Sequence, residues 1–228
     1  MKIASYNVQC FSYNKEKEEI FQVLRTVNPD VVGIQEVDWD SARCGPGNQV
    51  QIAAEALGYP YWYFAKAIDY KGGAYGHGVL SRYPILEAET VPYETVGEND
   101  HDGGRCFARL LLEVEGVPVA FYNTHLTLDR EGRSKELQQL FARMKQDPCV
   151  VLTGDMNAES EEMAAAVDTA QFTMLNPGLP TWPQGESSVK SIDHIVVSNT
   201  LKHSPQITVY PAECSDHNLI YTEVEVKK

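Results

Sequence analysis

Apolar and polar positions along the chain follow two periods. Runs rich in β-branched and aromatic residues, bounded by Gly, Pro or Asn, predict strands at Lys2–Val8, Val31–Glu36, Tyr61–Ala65, Gly78–Ser81, Cys106–Val114, Val117–Thr124, Cys149–Thr153, Ile192–Val197 and Leu219–Val226. Glu115-Gly116 between two of them reads as a hairpin turn. The helical period appears at Ile20, Leu24 and Val27, and at Leu137, Leu140, Phe141 and Met144. Val50, Ala53, Ala54 and Leu57 form a third such face, closed by Gly58. Glu161–Ala170 predicts a fourth helix.

Several apolar runs end in polar side chains. "SYNV" carries Asn7, "IQEV" Glu36, "NTHL" Asn123 and His125, and "GDMN" Asp155 and Asn157. The pattern also repeats. A strand with Tyr6-Asn7, a helix, an Asn-Pro-Asp turn and a strand ending in Glu36 are matched by Tyr122-Asn123, a helix, Asp147-Pro148 and a strand ending in Asp155. Two such units predict two related halves, whose polar strand ends converge on one cleft if the sheets pack face to face.

Composition narrows the classes. The chain has 228 residues, 43% of them hydrophobic, enough for a sizeable core, and it reads as one domain over 1–228. No run of about 18 apolar residues is present, so no membrane span is expected. Met1-Lys2-Ile3 leads straight into a strand and leaves no room for a secretory leader, so a cytoplasmic location is expected. Cys10, Cys44, Cys106, Cys149 and Cys214 form no CxxC pair and read as reduced thiols, with neither a disulfide framework nor a zinc site. A formal net charge of −13 argues against a broad basic surface for duplex DNA. It leaves room for a cation that supplies positive charge locally.

Each candidate residue has a functional and a structural reading. Glu36 is either a loop carboxylate or one presented where a buried strand emerges. In "GDMN", Asp155 can orient or deprotonate a water and Asn157 can donate to a phosphate oxygen; the same residues also suit an Asx-turn before a helix. His125 shares a strand face with Asn123 and is either a core histidine or a polar-site one. "SIDHI" and "CSDHNL" supply Asp193-His194 and Asp216-His217, where an Asp can orient a His as acid or base. Carboxylate and carboxamide oxygens with imidazole suit Mg²⁺ or Mn²⁺ better than structural zinc. They also suit hydrolysis of an anionic phosphoester, which needs a cation, an activated water and charge-stabilising donors.

The ordered set "SYNV", "IQEV", "GHGVLSRYPI", "NTHL", "GDMN", "SIDHI" and "SDHN" resembles the endonuclease/exonuclease/phosphatase superfamily, from about Ile3 to Tyr221. The resemblance implies an α/β fold: a four-layer α/β/β/α sandwich of two mostly antiparallel sheets flanked by helices. It implies Mg²⁺-dependent cleavage of a phosphoester, with Glu36 as the main metal ligand and Asn7 and Asp216 close to the metal or its waters. Asp155 would orient or deprotonate the nucleophile, Asn157 would bind the scissile phosphate, and His217, oriented by Asp193, would be the partner base or phosphate stabiliser. Which of Asp155 and His217 takes the proton stays open. His125 in "NTHL" resembles the branch of pancreatic-type deoxyribonucleases and sphingomyelinases. A phosphodiester substrate, nucleic acid or small molecule, is the leading expectation. A phosphomonoesterase is the alternative, and an inactive binding module would require loss of Glu36, Asp155, Asp193 or His217. Substrate choice is expected in the loops Tyr70–His77 and Tyr93–Arg105, and Trp182 reads equally as a cleft wall or a packing residue. Arg82 and Arg109 read as structural anchors.

Overall fold

A computed structural model describes residues 1–14, 17–94, 104–185 and 188–226. Two mixed sheets form its centre. The first contains β1 (Lys2–Asn7), β2 (Val31–Trp39), β3 (Tyr61–Tyr70), β4 (Gly73–Ser81), β11 (Lys202–His203), β12 (Thr208–Tyr210) and β13 (Leu219–Glu225). Its order is β11-β13-β1-β2-β4-β3, with β12 also on β13. The second contains β5 (Ile85–Pro92), β6 (Cys106–Val114), β7 (Val117–His125), β8 (Val150–Asp155), β9 (Phe172–Met174) and β10 (Asp193–Ser198), in the order β5-β6-β7-β8-β10-β9. Each sheet has one parallel pair, β1 with β2 and β7 with β8.

Three apolar cores stack these sheets into four layers. Ile3, Val31 and Val79 of the first sheet meet Leu110, Phe121, Val151 and Ile195 of the second in the middle. Outside the first sheet, after the short α1 (Gln9–Asn14), α2 (Lys17–Val27) and α3 (Gln49–Leu57) bury Ile20, Leu24, Val50 and Ala53 against Tyr6, Ile34 and Leu80. Outside the second, α4 (Arg130–Met144) and α5 (Ser160–Ala166) bury Leu137, Leu140, Phe141 and Met163 against Tyr122, Leu152 and Val196. Burial on both faces explains the near-continuous apolar runs of β2 and β8. Among the described residues no helix is long and apolar enough to cross a membrane.

Local signals set many boundaries. Asn48 caps α3 by accepting from Val50 N, and Gly58 ends it at φ +72°. Glu115 and Gly116, at φ +52° and +84°, make the expected β6–β7 turn. Helix α5 stops at Ala166 rather than Ala170, because Asp168 Oδ1 captures Ala170 N–H in a turn. The expected loop Tyr70–His77 is instead the tip of the β3–β4 hairpin. Most of the other expected loop, Tyr93–Arg105, lies outside the described residues. β10 starts at Asp193, one residue later than expected. The strand expected to stop at Glu36 runs on to Trp39. Arg109 pairs with Asp147 and Glu87, and Arg82 bonds Asn28 and Asp30, so both anchor structure.

Candidate active site

The carboxyl ends of the two parallel pairs lie side by side. β1 ends at Asn7, paired with Gln35, and β7 ends at His125, paired with Asp155. β10 and β13 run antiparallel to their neighbours, so the start of each reaches the same edge: Asp193 pairs with Asp155, and Ser5 pairs with Ile220. The Asp216-His217 pair just before β13 is therefore delivered to this edge. Ser215 secures it by donating to Asn7 O at 2.6 Å.

Glu36 arrives by a different route. The β2–β4 ladder passes from Gln35↔His77 to Val37↔Gly76 and skips Glu36, which sits at φ +56°. This bulge ejects one residue from a strand that otherwise continues, and it turns the carboxylate into the cleft. Positive φ on a non-glycine costs on the order of 1–3 kcal/mol. Asn157, also in the cleft lining, sits at φ +49°, a conformation that asparagine tolerates, and Gln9–Phe11, just after β1, lie at φ +43° to +53°.

Asp155 is the focus. Its Oδ2 accepts from Asn7 Nδ2 at 3.0 Å and lies 3.5 Å from both His125 Nε2 and His217 Nε2. Its Oδ1 accepts Asn157 N–H at 3.0 Å, closing an Asx-turn. Asn7 Nδ2 also donates to Glu36 Oε1 at 3.1 Å, and Asn7 Oδ1 accepts Gln9 N–H. Asp193 Oδ2 lies 2.8 Å from His217 Nδ1, and Thr181 Oγ1 fixes the start of β10 by accepting from Ile192 and Asp193 N–H. Asn157 Nδ2 spends one N–H on Leu126 O at 2.8 Å.

Electrostatics separates the two imidazoles. Burial works against a charged His217, but the carboxylates of Asp193 and Asp155 prevail and push its pKa up to about 10. His125 goes the other way: burial, the Arg105 charge and His217 hold it well below the ordinary value. Arg105 Nη1 donates to His125 Nδ1 at 3.2 Å, which leaves the neutral ring's proton on Nε2, facing Asp155. Burial raises Asp155 above the usual carboxylate range, opposed by the His217 charge. Burial also raises Glu36, and the charge of Asp216 adds to it against the hydrogen bond from Asn7.

Glu36, His125, Asp155, Asn157, Asp216 and His217 line one cleft of about 610 Å³, with Asn7 and Asp193 buried behind them. His194 is not among them; it lies on the opposite face of β10 and bonds Ala158 O at 2.8 Å. Trp182 is a cleft wall, with Lys190 5.1 Å from its ring. Sequence reasoning did not single out Arg43, Arg133 or Lys190, which also line the cleft. Their spacing carries no periodic signal, and only the tertiary fold collects these cations in a chain of net charge −13. Arg43 is held by Asp38 at 2.8 and 2.9 Å, and Arg133 by Glu162 at 2.8 and 2.9 Å.

The model of the Endonuclease/Exonuclease/phosphatase family matches residues 4–217. A search of curated proteins gave no match. Among solved structures, an endonuclease/exonuclease/phosphatase from Beutenbergia cavernae DSM 12333 is 19% identical with a TM-score of 0.83, covering 99% of this chain and 71% of that one. The mannosyl-6-phosphatase Bt3783 of Bacteroides thetaiotaomicron VPI-5482 is 18% identical with a TM-score of 0.78, covering 99% and 100%. Truncated Caenorhabditis elegans TDP2 is 18% identical with a TM-score of 0.70, covering 99% and 97%. With the family model spanning nearly the whole chain and the fold shared throughout, this protein belongs to the Endonuclease/Exonuclease/phosphatase family and is a hydrolase acting on phosphoester bonds.

Proposed function

We propose that the chain works as one domain, a Mg²⁺- or Mn²⁺-dependent phosphoesterase that hydrolyses a phosphodiester. The observation that carries this reading is the convergence of Asn7, His125 and His217 on Asp155 Oδ2 at the floor of the cleft. The donor chemistry fits a hard divalent cation. Glu36 and Asp216 are carboxylates facing one cleft, and the charge of one raises the pKa of the other, a repulsion that a cation relieves. When bound there, such a cation neutralises phosphoryl oxygens and polarises water.

The chain's own groups then divide the work. Asp155, as a carboxylate, accepts the proton of the attacking water at Oδ2; the new P–O bond forms as the bond to the leaving alkoxide breaks, and that alkoxide takes a proton from solvent to depart as an alcohol. His217, kept as an imidazolium by Asp193, presents an Nε2–H donor to the charge that develops on the phosphoryl group. His125 presents a second Nε2–H donor, and Asn157 has an amide N–H left for the phosphate. Asn7 couples Glu36 to Asp155 through one amide. The cations of the cleft wall favour an anionic substrate, nucleic acid or small molecule.

Similarity to a mannosyl-6-phosphatase favours a second reading, a phosphomonoesterase. Parallel assays of a chromogenic phosphodiester and a monoester with Mg²⁺, with EDTA and with His217→Ala decide. Diester turnover lost in EDTA and in the variant supports the proposal. Turnover of the monoester alone replaces it with the second reading.

A further inference from the structure

Cys10 and Cys44 meet across 34 residues of sequence, behind the wall of the cleft. Cys10 lies in the left-handed turn after β1 and Cys44 in the loop after β2; they are 1% and 9% exposed. The two sulfurs and a carboxylate oxygen of Asp38 lie within 4.8 Å of one another. Cys44 Sγ points at Cys10 O, 3.9 Å away, and Cys10 Sγ at Asp38 Oδ1, 3.8 Å away. We infer that Cys10 and Cys44 are a redox-active dithiol, a modification site that closes to a reversible disulfide under peroxides and shifts the cleft wall at Arg43.

A metal suits this cluster poorly. Both Asp38 oxygens are held by Arg43, and Ser41 Oγ donates to one of them as well. Two sulfurs then remain, against the four ligands of a structural zinc site. The thiol pair is set up for exchange instead. A hydrogen bond from Cys10 holds the Cys44 thiol below its ordinary range, against the opposing effect of burial. Cys44 thiolate attacks a peroxide oxygen; the S–O bond forms, the O–O bond breaks, and the leaving hydroxide takes a proton to become water. Cys10 sulfur then attacks Cys44 Sγ; the S–S bond forms, the S–O bond breaks, and a second water leaves. Two thiols are oxidised and one peroxide is reduced, and a small thiol reverses the change.

Closure has a direction. A disulfide spans about 2.05 Å, so the sulfurs must draw together. Cys44 sits in a tight turn, with its N–H and that of Gly45 bonded to Ser41 O at 3.2 and 2.9 Å, so the turn moves with it. Arg43, one residue away, lies over the cleft residues Tyr70 and Tyr75 at 4.5 and 5.3 Å from their rings. The effect on catalysis rests on the proposed function; the disulfide does not.

The full chain is treated with hydrogen peroxide, and the disulfides are mapped by non-reducing peptide mass spectrometry. The expected product is a Cys10–Cys44 crosslink with loss of two hydrogens, reversed by dithiothreitol. With the chromogenic diester, KM should shift several-fold with little change in kcat, and Cys44→Ser should keep the reduced-state KM after peroxide. Peroxide consumed at Cys149 or Cys214 while Cys10 and Cys44 stay thiols overturns the inference, as does irreversible oxidation of Cys44 without a crosslink. A crosslink with unchanged KM overturns the link to Arg43. Mapping needs no variant and no turnover, so failure of the diester assay alone counts against the proposed function and leaves the disulfide result to stand by itself.

Discussion

At the scale of single residues, the site is built from side chains whose environments push them apart. His217 is held as a cation and His125 as a neutral donor, although both lie 3.5 Å from the same carboxylate oxygen. On the proposed roles, Asp155→Asn and His217→Ala should each lower kcat roughly 10²–10⁴-fold, with far-UV circular dichroism unchanged. Turnover close to wild type would remove the assigned roles. The same charges affect stability. The folded-state pKa of His217 lies above its ordinary 6.5, so its contribution is fully present below pH 6.5 and is lost as pH rises through about 10. Urea unfolding in EDTA should therefore show wild type losing its advantage over His217→Gln across that window. A constant difference would mean that His217 is neutral in the folded protein. The residue types were legible in the sequence. Their protonation was not, because it depends on Arg105 and Asp193, which come from other strands or the segments leading into them.

At the scale of elements, patterning worked where both faces or one stripe are buried. β8 shows only buried positions and α4 a clean stripe, and both were expected nearly where they lie. β5 was missed because none of its side chains is fully buried; on this edge strand only Ile85 and Val91 pack partly against the cores, too few to make a readable apolar alternation. The end of β2 misled for a related reason. A bulge is one residue of backbone conformation, and "IQEV" reads the same with or without it. The interlock of the sheets is also invisible in sequence. Asn123 donates to Ile34 O and Gly78 O and accepts from Gln35 and Thr153, so one amide ties β7 to β2, β4 and β8. Gly33 makes room for it: a Cβ there would clash with Thr153 Oγ1 and Asn123 Oδ1. Gly33→Ala should then cost roughly 1–3 kcal/mol in urea unfolding. Wild-type stability in that variant would show that the sheets separate there without cost.

At the scale of the whole molecule, the two strand-helix-strand units each supply a parallel pair, and their carboxyl ends form one edge of the sandwich. If Glu36 and Asp216 bind the cation, Mg²⁺ at a hundredfold its dissociation constant should stabilise the fold by ~2.7 kcal/mol. That is roughly 2–4 °C in Tm per kcal/mol for a chain of this size. Glu36→Gln should lose most of that shift, and an unchanged shift would put the cation elsewhere. The four-layer sandwich was implied by the resemblance of the ordered motifs; the sequence's own pattern determined the alternation of strands and helices and the order and residue types of the polar strand ends. Those follow from local period and residue chemistry, which a linear string carries in full. Tertiary structure alone decided the match between the halves. Asn7 ends β1 directly behind the cleft floor, whereas Asn123, its apparent counterpart, lies two residues short of the end of β7 and is buried between the sheets. Register between strands, the bulge at Glu36 and the gathering of Arg43, Arg105 and Lys190 around an acidic floor depend on contacts far apart in sequence, and no local pattern encodes such contacts.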